Sequence, residues 1–338
     1  MTIEDVILEQ EKEAVKCFLH QHNLSYDEDI DESIVLREDG KIIGTASVSG
    51  NILKCVAVDS EYQGENLLAT LISALLQRLR QRDVHHVFVY TIDDHVARFK
   101  ALGFKPIVQT MTTALLELGG SIQEALLNLK RSHALSDAPK GCVVVNANPM
   151  TLGHVHLIKT AAEHHAETLV FVVSEDRSIF PFAARFAMVT EACRAIPGVT
   201  VLPSLDYLVS SATFPKYFLK SESKIREEHA LIDVLTFKTY YMKAFNISHR
   251  YMGEEPFSPM TSVYNETMKK YLNNQCHIVP RLKLGEHPIS ASTVRKLLRH
   301  HGLTEAISPY VPDATVAYLN SPEGETIIRR LKHHEQRH

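Results

Sequence analysis

The chain has 338 residues, which predicts two domains at roughly 150 residues each. A hydrophobic content of 45% supports sizeable cores, and a net charge of −4 gives no reason to expect nucleic-acid or membrane-surface partners. No apolar run approaches the roughly 18 residues of a membrane span, and five scattered cysteines without a Cys-x-x-Cys pair predict reduced thiols and a cytoplasmic protein.

The first part of the chain predicts an α+β domain. After an initial helix, two strands at 33–38 and 41–49 flank Asp39-Gly40, a dipeptide typical of hairpins. A third strand follows at 52–58, and leucines at helical spacing predict a helix from Leu67. Further elements are predicted as strands at 84–90, 104–110 and 112–117 and as helices at 96–102 and 121–131.

This order of elements resembles the GNAT-type N-acetyltransferase fold. The Gln63-Gly64-Glu65-Asn66 turn matches the pyrophosphate-binding segment of that family, which implies a site for a CoA moiety. Leu68 stands where the family has a small residue and would crowd an acyl-CoA pyrophosphate, which disfavours a stand-alone acetyl-CoA-dependent acetyltransferase. Two interpretations stay open: a module that positions a substrate or partner, and a binder of a CoA moiety.

A polar, proline-containing stretch separates this part from the next. Residues 131–140 have the composition of a linker. The predicted organisation is therefore an N-acetyltransferase-like domain at 1–130, a linker at 131–140 and a catalytic domain at 141–338.

The second domain alternates between strands and helices. Strands are predicted at 142–146, 168–173, 199–202, 249–252 and 277–280, with helices from Thr151 and over 181–195. Such alternation predicts an α/β, Rossmann-like domain with a parallel sheet and helices on both faces. Ligands bind such sheets beyond the carboxyl ends of the strands.

The first strand leads into a helix start with anion-binding chemistry. Asn148-Pro149 ends the strand, and Thr151 is a good N-cap. Gly153 lets the backbone approach a ligand, and His154 adds a donor beside the unpaired N–H groups of the helix start. The four residues at 151–154 resemble the Thr/His-x-Gly-His signature of the nucleotidyltransferase superfamily, although an ordinary capped helix has the same pattern.

A second helix start carries three hydroxyl residues and an arginine. Ser290, Ser292 and Thr293 supply caps and phosphate-facing donors, and Arg295 supplies a permanent charge. The segment resembles the Ile-Ser-x-Ser/Thr-x-Ile/Val-Arg signature of the same superfamily. A serine N-cap before a basic amphipathic helix is the plain alternative. Two such helix starts in one βα-rich chain favour nucleotide binding.

Other polar residues near predicted strand ends are candidates with plainer alternatives. Lys159 either reaches a phosphate or is solvated. Arg177 and Arg185 flank residues 180–182 and could clamp phosphates or a carboxylate, although Arg185, in the middle of a predicted helix, could equally be a surface charge. Gly253 and Glu254 follow a strand, where the carboxylate either contacts ribose hydroxyls and Mg²⁺ waters or is solvated.

Taken together, the two domains resemble the citrate lyase ligase family. The segments VNANPMTLGH, VVSEDRSIFPFAARF and PISASTVRKLL match it closely. The resemblance implies a cytoplasmic ligase that uses ATP, Mg²⁺ and acetate. The ligase acetylates the thiol of the phosphoribosyl-dephospho-CoA group on the citrate lyase acyl carrier subunit through an acetyl adenylate, and it releases AMP and pyrophosphate.

The resemblance also implies residue roles. Thr151 and His154 act on the phosphates, and Arg295 stabilises the departing pyrophosphate. The residues implied to bind the nucleotide are Asn148, Gly153, Lys159, Arg177, Gly253, Glu254, Ser290, Ser292 and Thr293.

Two rival functions stay open from the sequence. One is a nucleotidyltransferase that joins a nucleotide to a phosphorylated small molecule, which the two motifs alone do not exclude. The other is a non-catalytic carrier-binding or regulatory protein that retains nucleotide affinity. The intact set of hydroxyl residues and Arg295 makes the second rival the weaker one.

Overall fold

The structure is a computed structural model that describes residues 1–62, 66–208, 222–254 and 259–333. The predicted pyrophosphate turn at 63–65 lies outside the described residues. The chain divides into two compact units, Met1–Ala125 with Thr213–Ile232 and Leu126–Ala212 with Asp233–His338. The boundaries at 130 and 140 remain predictions. No helix in the described ranges has the length and apolarity needed to cross a membrane.

The first unit is built on one mostly antiparallel sheet. Its strands are β1 (Thr2–Asp5), β2 (Glu32–Glu38), β3 (Lys41–Ser49), β4 (Ile52–Val58), β5 (Val87–Ile92), β6 (Lys105–Gln109) and β7 (Thr113–Leu118), in the order β1-β2-β3-β4-β5-β7-β6. The helices of this part of the chain are α1 (Glu9–Gln21), α2 (Leu67–Gln81), α3 (Val96–Ala101) and α4 (Ile122–Ser132), the last of which crosses into the second unit.

The apolar stripe of α2 forms the core of this unit. Leu71, Leu75 and Leu79 recur at helical spacing, are almost wholly buried and pack with the sheet residues Ile34 and Leu53. One strand was not predicted. β1 pairs antiparallel with the edge of β2 before the initial helix begins, although all of its residues are exposed. Without a buried face, β1 lacks the hydrophobic alternation by which strands are recognised in a sequence.

The second unit contains a parallel sheet followed by a short hairpin. The strands are β8 (Lys140–Val145), β9 (Thr168–Val172), β10 (Val199–Pro203), β11 (Ile247–Gly253), β12 (Cys276–Val279), β13 (Lys283–Leu284) and β14 (His287–Pro288). The helices are α5 (Leu152–His164), α6 (Phe182–Cys193), α7 (Glu222–Thr236, divided between the units), α8 (Met242–Phe245), α9 (Pro259–Leu272), α10 (Ala291–His301), α11 (Asp313–Leu319) and α12 (Pro322–His333).

The five parallel strands run in the order β10-β9-β8-β11-β12. The chain therefore winds outward from β8 in one direction and then returns to add β11 and β12 on the other side. This is the doubly wound Rossmann-like topology, and its switch point lies between β8 and β11. The predicted fold class is confirmed. A crevice is expected beyond the carboxyl ends of these two strands.

Both faces of this sheet are covered by helices. On one face, Val143 and Val145 of β8 join a buried cluster with Ile158 of α5 and Met188 of α6. On the other face, the ring of Phe171 packs against two aromatic rings that follow α7. Its centroid lies 5.4 Å from that of Tyr241 and 5.3 Å from that of Phe245. Burial on both faces explains the continuous apolar runs of β8 and β9.

Candidate functional site

The loop after β8 leads into a capped helix start. Thr151 has an extended backbone at φ −129° and ψ 164°, and it is the N-cap of α5. Its Oγ1 accepts from the His154 N–H at 3.4 Å, and the Thr151 N–H donates to His154 Nδ1 at 3.1 Å. These two hydrogen bonds form a reciprocal capping box in which an imidazole takes the usual place of a carboxylate or amide.

The capping box also determines which form of the histidine is present. Burial, reinforced by the positive charge of Arg281, lowers the pKa of His154 to about 4, so its ring is neutral at physiological pH. Because Nδ1 accepts the Thr151 N–H, the single ring proton resides on Nε2. The side chain therefore offers one N–H donor from the ring edge opposite Thr151, which suits an anionic oxygen.

Gly153 brings the two sequence motifs together. A Cβ added at Gly153 would lie 3.1 Å from the carbonyl oxygen of Ile289, the residue before Ser290. Such a contact is tighter than ordinary van der Waals packing, so a side chain here would push the two segments apart. The absence of a Cβ lets the start of α5 lie directly against the approach to α10.

The start of α10 has the predicted hydroxyl cap. Ser290 is extended at φ −140° and ψ 153°, and its Oγ accepts from the Thr293 N–H at 3.1 Å. The hydroxyls of Ser290 and Thr293 lie 2.9 Å apart, while Ser292 is exposed. This helix start therefore presents N–H groups and hydroxyls of the kind that bind phosphate oxygens.

Arg295 forms a second link between the motifs. Its Nη1 donates to the backbone carbonyl of Asn148, in the loop that precedes α5. Burial, together with the nearby charge of Arg299, lowers the pKa of Arg295, which still leaves a guanidinium charged at neutral pH. The Asn148 side chain meanwhile accepts from the Phe180 N–H at 3.0 Å. The carboxyl end of β8, the loop after β9 and the start of α10 are thereby joined.

Arg185, for which the sequence left a surface charge as one alternative, is instead buried and supports this junction. Arg185 of α6 is fully buried and donates to the Asn146 carbonyl and side-chain oxygens at 3.1 and 2.9 Å. It also donates to three backbone carbonyls, those of Val173, Glu175 and Phe180. A sequence signal existed: Arg185 shares the apolar face of α6 with Met188 and Val189, which are buried.

A cavity of about 540 Å³ opens at this edge of the sheet. Among the described residues, its lining includes the candidates Asn148, Arg177 and Arg295. Arg250 and Tyr264 line it as well, and no prediction had named either of them. The cavity lies where the switch point predicts a ligand.

The remaining candidates fall in different places. Lys159 is exposed further along α5, and the Arg177 Nε lies 3.8 Å from the Glu175 carboxylate at the cavity wall. At the end of β11, Gly253 has open space around its Cβ position. Glu254 is exposed, and its N–H donates to the Val279 carbonyl at 2.9 Å. Glu254, directly after β11, is thus held by its backbone.

Metal-ligating side chains do not gather here. The part of the chain that the structure describes contains no cluster of three or more His, Cys, Asp or Glu residues arranged to hold a metal ion. The cysteines at 17, 55, 142, 193 and 276 are all free thiols.

The first unit has a cavity of its own, of about 960 Å³. β4 and β5 pair only through Ile52 with Phe88 and Leu53 with Val89, so the strands diverge afterwards. Leu68 lines the cavity, as does Asn66, whose φ of 60° is left-handed. The divergent strands form a cleft, and Leu68 at the start of α2 is part of its wall.

Two family models match the chain. The model described as the citrate lyase ligase C-terminal domain matches residues 140–319, and the model described as an acetyltransferase (GNAT) domain matches residues 6–116. These matches cover the two halves that the sequence analysis had separated.

Three curated relatives, each a citrate (pro-3S)-lyase ligase, align over most of their length. The protein from Escherichia coli (strain K12) is 36% identical over 90% of this chain and 89% of its own. The Klebsiella pneumoniae protein is 35% identical over 91% and 92% of the two chains. The Haemophilus influenzae protein is 33% identical over 94% and 98%.

Proposed function

Because the chain belongs to the citrate lyase ligase family, we propose that it activates citrate lyase by acetylating the prosthetic-group thiol of the acyl carrier subunit. The reaction consumes ATP and acetate and releases AMP and pyrophosphate. The thiol belongs to the phosphoribosyl-dephospho-CoA arm of the carrier, so the protein itself supplies no nucleophile.

The first half-reaction joins acetate to the nucleotide. An acetate oxygen forms a bond to the α-phosphorus of ATP while the bond to the β-phosphate oxygen breaks, and pyrophosphate leaves with the electron pair. Acetate is already ionised at neutral pH, so no general base is needed. The protein must align the reactants and stabilise the charge that develops on the phosphates.

The residues of the two helix starts suit this requirement. His154 donates from Nε2, and the start of α5 adds backbone N–H groups for the phosphates. The hydroxyls of Ser290 and Thr293 serve the β/γ end, and Arg295 compensates the charge of departing pyrophosphate.

The second half-reaction moves the acetyl group to the carrier. The carrier thiol loses its proton and attacks the acetyl carbonyl carbon, the bond from that carbon to the AMP oxygen breaks, and a thioester forms. Mg²⁺ is proposed to enter with ATP, bound to the triphosphate that it partly neutralises. Arg177 at the cavity wall is a proposed nucleotide contact. The exposed side chains of Glu254 and Lys159 are proposed contacts as well.

One observation carries this proposal: the Gly153–Ile289 contact. Two anion-binding helix starts that are far apart in sequence lie against each other, with the Gly153 Cβ position 3.1 Å from the Ile289 oxygen. A single capped helix start serves many structural purposes, but two that lie against each other beside a switch point suit a triphosphate.

Pyrophosphate release from Mg–ATP tests the function. The assay is run with and without acetate, and with and without the thiol form of the citrate lyase carrier subunit. We expect release to require acetate and to become catalytic only with the carrier. Release that is indifferent to acetate would instead favour a nucleotidyltransferase with another acceptor, and nucleotide binding without turnover would favour a regulatory protein.

A further inference from the structure

We propose that the inner end of the 540 Å³ cavity in the second unit is the binding site for acetate, with Arg250 as the partner of its carboxylate. The inference rests on the proposed function and adds the location of the acid substrate. The inner end is the part lined by Val144, Arg250 and Tyr264. Val144 and Arg250 lie within β8 and β11, whereas Asn148 lies beyond the carboxyl end of β8.

The register of the sheet places these residues on one face. Arg250 of β11 pairs with Cys142 of β8, and Val144 lies two residues further along β8. Since side chains alternate along a strand, Arg250, Cys142 and Val144 share a face. This is the face opposite Val143 and Val145, which pack in the cluster with α5.

Arg250 is a buried cation in the cavity wall. It is 3% exposed, its Nη2 donates to the Tyr264 hydroxyl at 2.6 Å, and its guanidinium lies 4.1 Å from the Phe237 ring centroid. The Asp233 carboxylate is 4.0 Å from Nη1. Within the described ranges, the buried Nε–H has no hydrogen-bond partner. The guanidinium is permanently charged and lines the cavity, and such a group favours a bound carboxylate.

The same surroundings select a small monoanion. Asp233 already offsets part of the Arg250 charge and accepts the hydrogen bond of the Tyr264 hydroxyl. One partly compensated cation suits a single carboxylate better than a triphosphate, which is served by several donors at the helix starts. Val144 and Leu208 add apolar wall for a methyl group.

The position also suits the reaction. Asn148 and Arg295, which lie at the helix starts, line the same cavity as Arg250. An acid held at the inner end and phosphates held at the outer end would share one cavity. Attack on the α-phosphorus needs that proximity, since a carboxylate oxygen must come within about 3–3.5 Å of the reacting atom.

The test separates the binding of acetate from that of ATP. Acetate-dependent exchange of labelled pyrophosphate into ATP gives KM values for both substrates in the full-length protein. In Arg250→Lys we expect the KM for acetate to rise by about 10- to 100-fold, as for loss of a hydrogen bond to a charged group. The KM for ATP should stay within about two-fold of the wild type, because the helix starts are unchanged.

A steric variant keeps the test valid if a change at Arg250 prevents folding. Val144→Ile adds one methylene to the wall of the inner end, and Val316→Ile on α11 is the matched control, since Val316 is partly buried and does not line the cavity. We expect Val144→Ile to raise the KM for acetate by about ten-fold and to weaken use of propionate further, while Val316→Ile matches the wild type.

Two results would overturn the assignment. In the first, the KM for ATP rises together with that for acetate, and the cavity then belongs to the nucleotide. In the second, Val144→Ile behaves like Val316→Ile. Wild-type exchange that does not depend on acetate would defeat the proposed function itself, and it would be seen before any variant is compared.

Discussion

The imidazole of His154 and the backbone N–H of Thr151 are joined by a hydrogen bond of 3.1 Å to Nδ1. The return bond from the His154 N–H reaches the Thr151 hydroxyl. The histidine is therefore part of the helix cap and also the donor of the proposed phosphate site. Its orientation is set by the cap before any ligand binds, which is the preorganisation that electrostatic catalysis requires.

Replacing His154 by alanine tests this donor. We expect His154→Ala to lower turnover by roughly 10²–10³-fold, the range for loss of one charge-stabilising donor. The fold should persist, at a cost of about 1 kcal/mol for the weakened cap. Acetate-dependent pyrophosphate release measures the effect, with circular dichroism to check folding.

His156→Ala is the matched control for that variant. His156 lies on the same helix, half-buried, and is not a site candidate, so its replacement should change turnover by less than about three-fold. Near-normal turnover in His154→Ala would remove His154 from the proposed mechanism.

The stability of the protein should depend on the protonation of His154. Burial lowers the pKa of His154 to about 4, so the unfolded chain takes up a proton as pH falls through its ordinary value of 6.5, and the folded protein does not. The contribution of the neutral ring to the free energy of unfolding is thus fully present above pH 6.5, and it is lost as the pH falls toward 4. Each pKa unit corresponds to at most about 1.4 kcal/mol.

The comparison of wild type with His154→Ala isolates this effect. Thermal unfolding at pH 7 and pH 5 should show a smaller loss of Tm in the variant than in the wild type. Other histidines with lowered pKa, such as His165 and His277, contribute equally to both proteins. Equal losses of Tm would mean that His154 is not neutralised by burial.

Gly153→Ala should separate activity from stability. The new Cβ would meet the Ile289 oxygen at 3.1 Å, so the two helix starts must shift by a few tenths of an ångström. We expect turnover to fall by about ten-fold, because small misplacements are costly to alignment. Alanine favours helix by up to about 1 kcal/mol over glycine, which offsets the crowding, so Tm should change little. Unchanged turnover would argue that the contact has no role in catalysis.

Arg185→Lys should destabilise the second unit. A lysine ammonium cannot reproduce the fork that serves four backbone carbonyls and one side-chain oxygen, so buried acceptors lose their partners. We expect a loss of about 2–4 kcal/mol in urea unfolding. Arg194→Lys is the control. Arg194 is exposed and pairs with Glu191, and such surface pairs contribute less than about 1 kcal/mol. Equal effects of the two variants would contradict an organising role for Arg185.

Local patterns explain which elements were predictable. The strand at β8, the cap at Thr151 and the cap at Ser290 depend on neighbouring residues, and all three occur as expected. β1 was missed because all of its residues are exposed, so it lacks the hydrophobic alternation that marks a strand. Family membership was predictable as well, because the short motifs that indicate it can be recognised in the sequence without knowledge of the tertiary packing.

The sequence by itself determined the alternation of strands and helices, the two helix starts and the identity of their donors, because capping and periodicity act over a few residues. Only the tertiary structure decided that Gly153 lies against Ile289 and that Arg185 is internal. It also placed Arg250 beside Tyr264 in the wall of the cavity. These relationships join residues that are far apart in the chain. They follow from strand order and register, which the local spacing of residues in the sequence does not specify.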